Sequence, residues 1–440
     1  MSAGAAAKLV GMGFTFVDLF AGVGGFHAAL ESLGGECVFA CEIDPAARAV
    51  YESNWDMEVA HDIVPLTEPR VKVPPHDVLC AGFPCQPFSK SGKQLGMDEA
   101  RGTLFGNIAR VIKKREPSLV LLENVRNIAG PRHLHEWDVI TRTLRALGYA
   151  VSEEPVVFSP HWLSPAAGGT PQVRERVFIV AWKVGRRSAE QLRGIRPLIS
   201  RGPVDSWDPG SWSLEVDLPL QRESEIANVE RYMLSDEEQN WIEVWNEFLQ
   251  EAVGPEKLPG FPIWADHLVE QVDCELNTPQ WKYDFLMKNA NFYRQHRQGI
   301  NEWKSKHKNL ELLPASRKKL EWQAQDSDRD LWSHVLQFRP SGIRVKRATY
   351  LPALVAITQT SIIGSRKRRI TPREAARLQG FPDWFSFGEQ PDASTYRQLG
   401  NAVAVGAVRH VFQRAFDTDP FKLTMRPEML LGLRERAFAA

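Results

Sequence analysis

Short apolar runs alternate with segments of helical spacing between residues 14 and 182. Residues 14–20 are continuously apolar apart from single polar positions, which is typical of a strand buried on both faces. Further strands are predicted at 36–41, 77–82, 118–122, near 150–158 and at 177–182, with helices after residue 25 and at 134–147. This alternation predicts an α/β fold, doubly wound around a mainly parallel sheet.

The alternation breaks after Trp182. Residues 222–252 have helical spacing and carry one stripe of large apolar side chains, namely Trp241, Val244, Trp245, Phe248 and Leu249. We interpret this stripe as core rather than as a platform for stacking bases. Helical spacing returns at 401–416, which predicts a helix able to pack on the first part of the chain.

Basic and acidic residues are equal in number over the whole chain, but they are unevenly distributed along it. The 54 Lys and Arg residues equal the 54 Asp and Glu residues, so net charge neither favours nor excludes nucleic acid. Residues 331–373 contain no acidic residue and nine basic ones, Arg339, Arg344, Lys346, Arg347, Arg366, Lys367, Arg368, Arg369 and Arg373. Such clustering indicates contact with a phosphate backbone, and a solvated basic face is the alternative.

Cysteine usage and hydropathy indicate the compartment. The five cysteines form no CxxC pair, which favours a reducing environment over a disulfide scaffold. Apolar runs stay short of the roughly 18 residues that a membrane span needs, and the N-terminus lacks the layout of a signal peptide. We therefore expect a soluble, cytoplasmic protein.

Two reactive side chains follow predicted strands. Cys85 lies between Pro84 and Pro87 just after the strand at 77–82, where a thiol can act as a nucleophile. Glu123 follows the strand at 118–122, and burial there raises the pKa of a carboxyl group into the range of a proton donor. A small buried Cys and a helix-capping Glu are the alternatives.

A glycine-rich turn links the first strand to its helix. Residues 21–25 place backbone N–H groups at a helix N-terminus, which suits the polar part of a nucleotide-like cofactor, although they do not match GxGxxG. Glu42 lies 20 residues past Gly22, the spacing at which an acid meets ribose hydroxyls. Asp62 can accept from an adenine amino group or close a turn, and Asp44 before Pro45 is interpreted as a helix cap.

Arginines precede the last strand of this region. Arg174 and Arg176 alternate with Glu175 and can face the same side in strand register. They can hold phosphates or a carboxylate such as Glu123, or form surface ion pairs.

Taken together, these blocks resemble the DNA (cytosine-5) methyltransferases, of the compact bacterial type found in restriction–modification systems. The resemblance rests on residues 20–25, Glu42, Asp62, 84–89, 123–125 and 172–176, and resumes at 369–382 and 398–403. The blocks fall in the order of the family.

The resemblance implies S-adenosylmethionine as cofactor and a covalent mechanism. Cys85 would add to carbon 6 of a flipped cytosine, Glu123 would act at ring nitrogen 3, and Arg174 would orient the base and help to hold Glu123, with Arg176 beside it. The implied cofactor residues are Phe20, Ala21, Gly22, Gly24, Gly25, Glu42, Ile43, Asp62, Ile63, Pro84, Leu104, Asn401 and Val403. No metal is implied.

The resemblance also implies double-stranded DNA as partner. Loop residues Ser89, Ser91, Lys93 and Arg101, together with Arg339, Arg344, Lys346 and Arg347, are the expected DNA contacts. The expected domains are a discontinuous catalytic domain, 1–185 and 396–440, and a target recognition domain with hinge, 186–395, across a cleft. Thr371, Pro372 and Glu374 predict a capped helix that ends at Gly380 and braces the domains.

Other functions and partners stay open at this point. A related branch methylates cytosine in transfer RNA, and a non-catalytic DNA-binding regulator is the second alternative. The resemblance also suggests a monomer, with a companion restriction endonuclease that acts separately.

Overall fold

The computed structural model describes residues 13–84, 103–192, 194–218, 220–254, 258–274, 277–325, 327–354 and 360–417. Five predicted site residues, Cys85, Ser89, Ser91, Lys93 and Arg101, lie outside them. The strands are β1 Thr15–Leu19, β2 Glu36–Cys41, β3 Val78–Gly82, β4 Leu119–Val125, β5 Tyr149–Val151, β6 Val156–Phe158, β7 Gln172–Val173, β8 Arg176–Lys183, β9 Ile263–Trp264, β10 Lys319–Trp322, β11 Val335–Arg339, β12 Gly342–Lys346, β13 Leu351–Pro352, β14 Ile362–Ile363 and β15 Arg368–Arg369. The α-helices are α1 Gly25–Glu31, α2 Pro45–Trp55, α3 Ile63–Thr67, α4 Leu104–Arg115, α5 Leu134–Ala146, α6 Arg186–Gln191, α7 Leu214–Asp217, α8 Asp236–Glu247, α9 Gln280–Gln295, α10 Arg297–Lys306, α11 Pro372–Leu378, α12 Asp392–Asn401 and α13 Val405–Asp417.

The described residues fall into two compact units. The first takes its residues from 1–210, 353–356 and 376–440, and the second from 211–352 and 357–375. The first unit therefore extends beyond the expected boundaries at 185 and 396. Residues after 185 belong to it because Trp207 Nε1 donates to the carbonyl of His161 at 3.2 Å. Residues before 396 belong to it because the backbone N–H of Ser386 donates to Asn54 Oδ1 at 2.8 Å.

The sheet of the first unit has the strand order β2-β1-β3-β4-β8-β5, with β6 also on β8. The pairings of β1 with β2 and β3, and of β3 with β4, are parallel, as predicted from the apolar runs. β8 joins β4 antiparallel and also pairs antiparallel with β5 and β6, which replace the one strand predicted near 150–158. The chain order reverses between β1 and β3, and such a switch point opens a crevice at the carboxyl ends of the strands.

Helices cover the strands of the first unit. On one face, α4 and α5 bury Ile108, Ile112 and Ile140 in the same cluster as Leu79 and Val120. Each such side chain stabilises the fold by about 1.5–3 kcal/mol through the area it removes from water. The predicted returning helix is α13, whose Phe412 stacks on Phe14 with 5.0 Å between ring centroids. The C-terminal part of the described chain thus completes the core of the first unit.

The second unit has its own mixed sheet and core. Its strand order is β15-β14-β11-β12-β10-β9. The predicted apolar stripe, which lies on α8 and on the helical turn Phe248–Ala252 that follows it, is in this core. Trp245 and Phe248 are fully buried there, and Trp241 packs against them. The indole nitrogen of Trp245 donates to the carbonyl of Arg317 at 2.7 Å, so its one polar atom is satisfied. The interpretation of the stripe as core is therefore confirmed.

A buried ion pair lies at the start of α11 in the second unit. Thr371 and Glu374 form the predicted capping box, with the N–H of Thr371 donating to Glu374 Oε2 at 2.8 Å. Arg368 donates to both carboxylate oxygens of Glu374, at 2.7 and 2.9 Å, and both side chains are 0% exposed. Arg368 belongs to the predicted basic segment but is internal in the structure. Its charge can be buried because Glu374 neutralises it.

None of the described helices combines the length and the apolar character that a membrane crossing requires.

Candidate active site

A cavity of about 420 Å³ opens at the carboxyl ends of β1, β3 and β4, within the first unit. Its size is that of a small-molecule site. It is lined by Phe20, Gly22, Val23, Cys41, Glu42, Ile43, Asp44, Ala47, His61, Asp62, Ile63, Gly82, Phe83, Pro84, Leu104, Glu123, Asn124, Val125, Arg174, Arg176, Arg397, Gln398, Gly400 and Asn401. The switch point of the sheet therefore gathers residues from 20 to 401 around one space.

The structure brings most of the predicted site residues to this cavity. The predicted members on its wall are Phe20, Gly22, Glu42, Ile43, Asp62, Ile63, Pro84, Leu104, Glu123, Arg174, Arg176 and Asn401. The predicted cofactor residues Ala21, Gly24, Gly25 and Val403 do not line it.

Close packing explains why two of the glycines are set back from the cavity. A Cβ on Gly24, whose φ is +88°, would lie 2.2 Å from the ring of Trp55. A Cβ on Gly25 would lie 2.6 Å from Val403. These glycines allow α1 to approach its neighbours, and Val403 fills the space beside Gly25. In the structure both glycines serve close packing, and the expectation that they contact the cofactor directly stays a prediction.

The carboxylate of Glu42 is anchored to the backbone of the glycine turn. Its Oε2 accepts from the N–H of Gly22 at 2.8 Å, and its Oε1 accepts from the N–H of Asp44 at 2.8 Å. Gly22 has φ +56°, and nothing lies within 4 Å of the position of a Cβ, so the turn stays open. Each carboxylate oxygen keeps a further lone pair for a hydroxyl donor. Glu42 thus holds the glycine turn, and the expected contact of Glu42 with ribose hydroxyls stays a prediction.

Two further acids lie on the same wall. Asp62 Oδ1 accepts from the N–H of Val64 at 2.9 Å and caps α3, so the turn interpretation of Asp62 holds while the residue also faces the cavity. Asp44 caps α2, as predicted, through the N–H of Ala46 at 2.9 Å. Its other oxygen lies 3.1 Å from Arg397 Nη2, so Asp44 also joins the wall of the cavity.

Glu123 is paired with Arg176. Arg176 Nε lies 3.0 Å from Glu123 Oε1, and the two side chains are 18% and 9% exposed. Burial raises the pKa of Glu123 above its ordinary value, while the positive charges of Arg176 and Arg174 act in the opposite direction. The carboxyl group therefore takes up a proton at higher pH than an exposed Glu does, as predicted for a proton donor.

Arg174 does not hold Glu123, and the expectation that it does was wrong. It donates to the carbonyls of Leu354, Gly400 and Ala402 at 2.9, 2.9 and 2.6 Å. Burial lowers the pKa of Arg174 to about 9. Arg174 lies in the link between β7 and β8, so strand alternation does not set its direction. It fastens the segment around Asn401 to the sheet, while Arg176 is the ion-pair partner of Glu123 among the described residues.

Sequence reasoning gave no separate role to Asn124. Its Nδ2 donates to the carbonyl of Phe83 at 2.8 Å, and its Oδ1 accepts from the N–H of Val125 at 2.8 Å. Asn124 thus ties the end of β4 to the residue that precedes Pro84. Its place directly after Glu123 was the available signal.

The remaining unpredicted residues of the wall follow from the fold. Arg397, Gln398 and Gly400 are brought in by α12, next to the quoted block that contains Asn401. Val23, Cys41, His61, Gly82, Phe83 and Val125 adjoin predicted members in sequence or through the sheet, and Ala47 lies in the first turn of α2, which Asp44 caps.

The model of the C-5 cytosine-specific DNA methylase family matches residues 14–417. The chain belongs to this family. The family resemblance stated from the sequence is therefore confirmed.

Known bacterial methylases are similar over nearly the full length of the chain. The Type II methyltransferase M.AluI of Cellulosimicrobium cellulans is 43% identical, with 94% of this chain and 94% of that protein covered. M.HhaI of Haemophilus parahaemolyticus is 28% identical, covering 91% and 93%, and M.HpaII of Haemophilus parainfluenzae is 29% identical, covering 90% and 87%.

Methylases of this family use S-adenosylmethionine, and the cavity fits that group. The anchored carboxylate of Glu42 offers acceptors for ribose hydroxyls, and the open turn at Gly22 leaves room beside it. Ile43, 71% exposed on the cavity wall, offers an apolar surface for a purine ring.

Four of the predicted DNA-contacting residues of this methylase, Arg339, Arg344, Lys346 and Arg347, lie in the second unit, where Glu321 neutralises part of their charge. Arg344 Nε donates to Glu321 Oε2 at 2.8 Å, and Arg339 lies 3.9 Å from the same carboxylate. Arg347 Nε donates to the carbonyl of Ala324 at 2.9 Å. Burial and Arg344 lower the pKa of Lys346. The acid-free stretch thus obtains its counter-charges from residues outside it.

Proposed function

We propose that this chain transfers a methyl group from S-adenosylmethionine to carbon 5 of a cytosine flipped out of a specific double-stranded DNA sequence. The Glu123–Arg176 pair on the wall of a cofactor-sized cavity carries the proposal. Family membership supports the reaction, since the matched model is that of cytosine-specific DNA methylases.

The cofactor supplies an electrophilic methyl group when it is bound. The chain supplies the pocket: Glu42 accepts hydrogen bonds from ribose hydroxyls, Asp62 accepts from the adenine amino group, and Leu104 and Asn401 close the wall. Phe20 and Pro84 complete the side nearest to the strand ends.

Cys85 is the proposed nucleophile. Its thiolate forms a bond to carbon 6, and the electron pair of the carbon 5–carbon 6 double bond becomes available at carbon 5. After carbon 5 has accepted the methyl group, its proton leaves to a base and the carbon–sulfur bond breaks, which restores the double bond. Support comes from Pro84, the residue before Cys85, which lies on the cavity wall.

Glu123 and Arg176 act on the base. Protonation of ring nitrogen 3 by Glu123 withdraws charge as the thiolate adds, and a raised pKa keeps that proton available. Arg176 holds Glu123 and takes the role first expected of Arg174, that of orienting the base carbonyl. Arg174 positions the wall through its three carbonyl contacts.

The two units divide the work. A stacked base cannot reach a thiol, so the cytosine is flipped at a cost of a few kcal/mol. We assign catalysis and cofactor binding to the first unit. We assign target recognition to the second, with Arg339, Arg344, Lys346 and Arg347 as DNA contacts and loop residues Ser89, Ser91, Lys93 and Arg101 as contacts from the first.

Methyl-transfer assays on duplex DNA and on transfer RNA test the proposal. Bisulfite sequencing of DNA from a host that expresses the protein should show cytosines methylated within one sequence motif. Activity confined to RNA would replace the substrate, and DNA binding without any methyl transfer would support the regulator.

A monomeric state, a cytoplasmic location on the nucleoid and a separately acting companion restriction endonuclease belong to the same proposal. Light scattering of the purified protein checks the first. A nuclease assay on DNA that carries and lacks the methylated motif checks the last.

A further inference from the structure

A cluster of charged side chains lies beside the cavity, on the side opposite to the cofactor residues of β2. Glu175 pairs with Arg126 and with Arg201, whose Nη2 lies 2.9 Å from Glu175 Oε1. Arg126 comes directly after β4, and Arg201 comes from the segment after α6. We call Arg126, Glu175 and Arg201 the mouth cluster.

Backbone register places the mouth cluster next to the proposed catalytic pair. Val125, the last residue of β4, is the strand partner of Arg176 and lines the cavity. Arg126 and Glu175 are the next residues along these two strands. Arg176 Nη1 also donates to the backbone carbonyl of Glu175 at 2.9 Å. The proposed catalytic pair, Glu123 and Arg176, lines the cavity. The mouth cluster is its neighbour on the solvent side, since Arg126 and Arg201 are exposed.

Exposure shows that stability does not explain the mouth cluster. The side chains of Arg126 and Arg201 are 53% and 55% exposed, while that of Glu175 is 20% exposed. Ion pairs this exposed contribute little to folding, because water screens them and the long side chains lose entropy. Two guanidinium groups on one carboxylate leave a net charge of +1, and each keeps N–H donors for another acceptor.

We propose that Arg126 and Arg201 bind the two backbone phosphates that flank the flipped cytosine. A base that enters the cavity leaves its sugar and both adjacent phosphates outside it. Arg126 and Glu175 are the direct neighbours in sequence of the cavity residues Val125 and Arg176, and Arg201 is paired with Glu175. A guanidinium group binds phosphate oxygens in a bidentate arrangement. The negative charge of Glu175 holds the two arginines close together despite their mutual repulsion. The inference rests on the proposed function, since it needs a flipped nucleotide.

The test uses the full chain and duplexes that contain the unmethylated target motif. Arg126→Ala and Arg201→Ala should each weaken DNA binding and lower the slope of log K against log salt by about 1, and the double variant by about 2. KM for DNA should rise more than kcat falls. Arg126→Lys should restore most of the slope, because a lysine keeps the charge.

Replacing one charged phosphate of the DNA with a neutral methylphosphonate tests which phosphates the two arginines bind. A methylphosphonate on either side of the target cytosine should weaken binding by the wild-type protein, and the double Ala variant should lose little further affinity from the same substitution. Lys183→Ala is the matched control, since Lys183 forms an exposed pair with Glu116 at 2.9 Å at the opposite end of β8. It should leave the salt slope as it is.

Failure of this inference differs from failure of the proposed function. If the wild-type protein methylates cytosine in DNA but binds methylphosphonate duplexes as tightly as normal ones, the phosphate contacts are refuted, even where an Ala variant fails to fold. Absence of cytosine methylation by the wild-type protein overturns the proposed function itself.

Discussion

Two arginine–carboxylate pairs in this chain differ in geometry and in surroundings. In the second unit, Arg368 and Glu374 are 0% exposed and joined through both carboxylate oxygens, with the N–H of Thr371 on the same carboxylate. In the first unit, Glu123 meets Arg176 through one contact of 3.0 Å on the wall of a cavity.

A buried carboxylate is available for chemistry when its partners leave part of it unsatisfied. Glu374 is saturated, because both of its oxygens accept from donors of its own unit, so it has a structural role. Glu123 is buried but held from one side, and the desolvation that raises its pKa is only partly compensated. A carboxyl group in that state can accept or donate a proton when a base arrives.

The largest expected effect is on the rate, from Glu123→Gln. The amide keeps the shape but cannot deliver a proton as the carboxylic acid does, so single-turnover methyl transfer should slow by about 10²- to 10⁴-fold. Rapid-quench measurement on a duplex whose target cytosine is unmethylated checks this. Glu116→Gln, in an exposed pair with Lys183, is the control and should keep the wild-type rate. An unchanged rate for Glu123→Gln would place the proton transfer elsewhere.

The change Glu374→Ala is expected to lower the stability of the protein instead of the rate of methyl transfer. This change leaves Arg368 charged and buried without its partner, which should cost about 3–5 kcal/mol of unfolding free energy. Denaturant unfolding measures it. Glu225→Ala, which removes an exposed partner of Arg222, should cost less than about 1 kcal/mol. Equal costs for the two variants would mean that burial of the pair is irrelevant.

Arg174 is buried like Arg368 and lines the cavity like Arg176. Arg174→Ala removes three donors from buried carbonyls and should destabilise the protein by about 2–4 kcal/mol. Arg176→Ala should instead act mainly on kcat, since Arg176 contacts Glu123. Thermal unfolding together with steady-state kinetics on both variants separates the two roles. The opposite pattern would return the catalytic role to Arg174.

The smallest expected effect is on the pH dependence of stability. Because the folded-state pKa of Glu123 is raised, the folded protein holds a proton that the unfolded chain releases near pH 4.3. Stability of the wild type relative to Glu123→Gln should therefore fall as pH rises from about 4.3 up to the folded pKa, and then level off. Melting temperatures of both proteins across this range check the sign. A relative rise would mean that Arg176 and Arg174 outweigh burial.

Patterns local in the sequence were enough to predict much of the fold and part of the site. Apolar runs located the parallel strands, and the stripe around Trp245 proved to be core. The spacing of 20 residues from Gly22 singled out Glu42, which lines the cavity. These features depend on residues close in sequence or on a period along one element, so the sequence by itself determines them.

Tertiary structure decided which partner each charged group obtained. Arg176 rather than Arg174 holds Glu123, Arg368 is neutralised inside the second unit, and Asp44 meets Arg397 from more than 350 positions away. The physical reason is that an ion pair depends on distance and burial in space. Residues 174 and 176 carry the same side chain in sequence, and only the direction of the chain between β7 and β8 separates their roles.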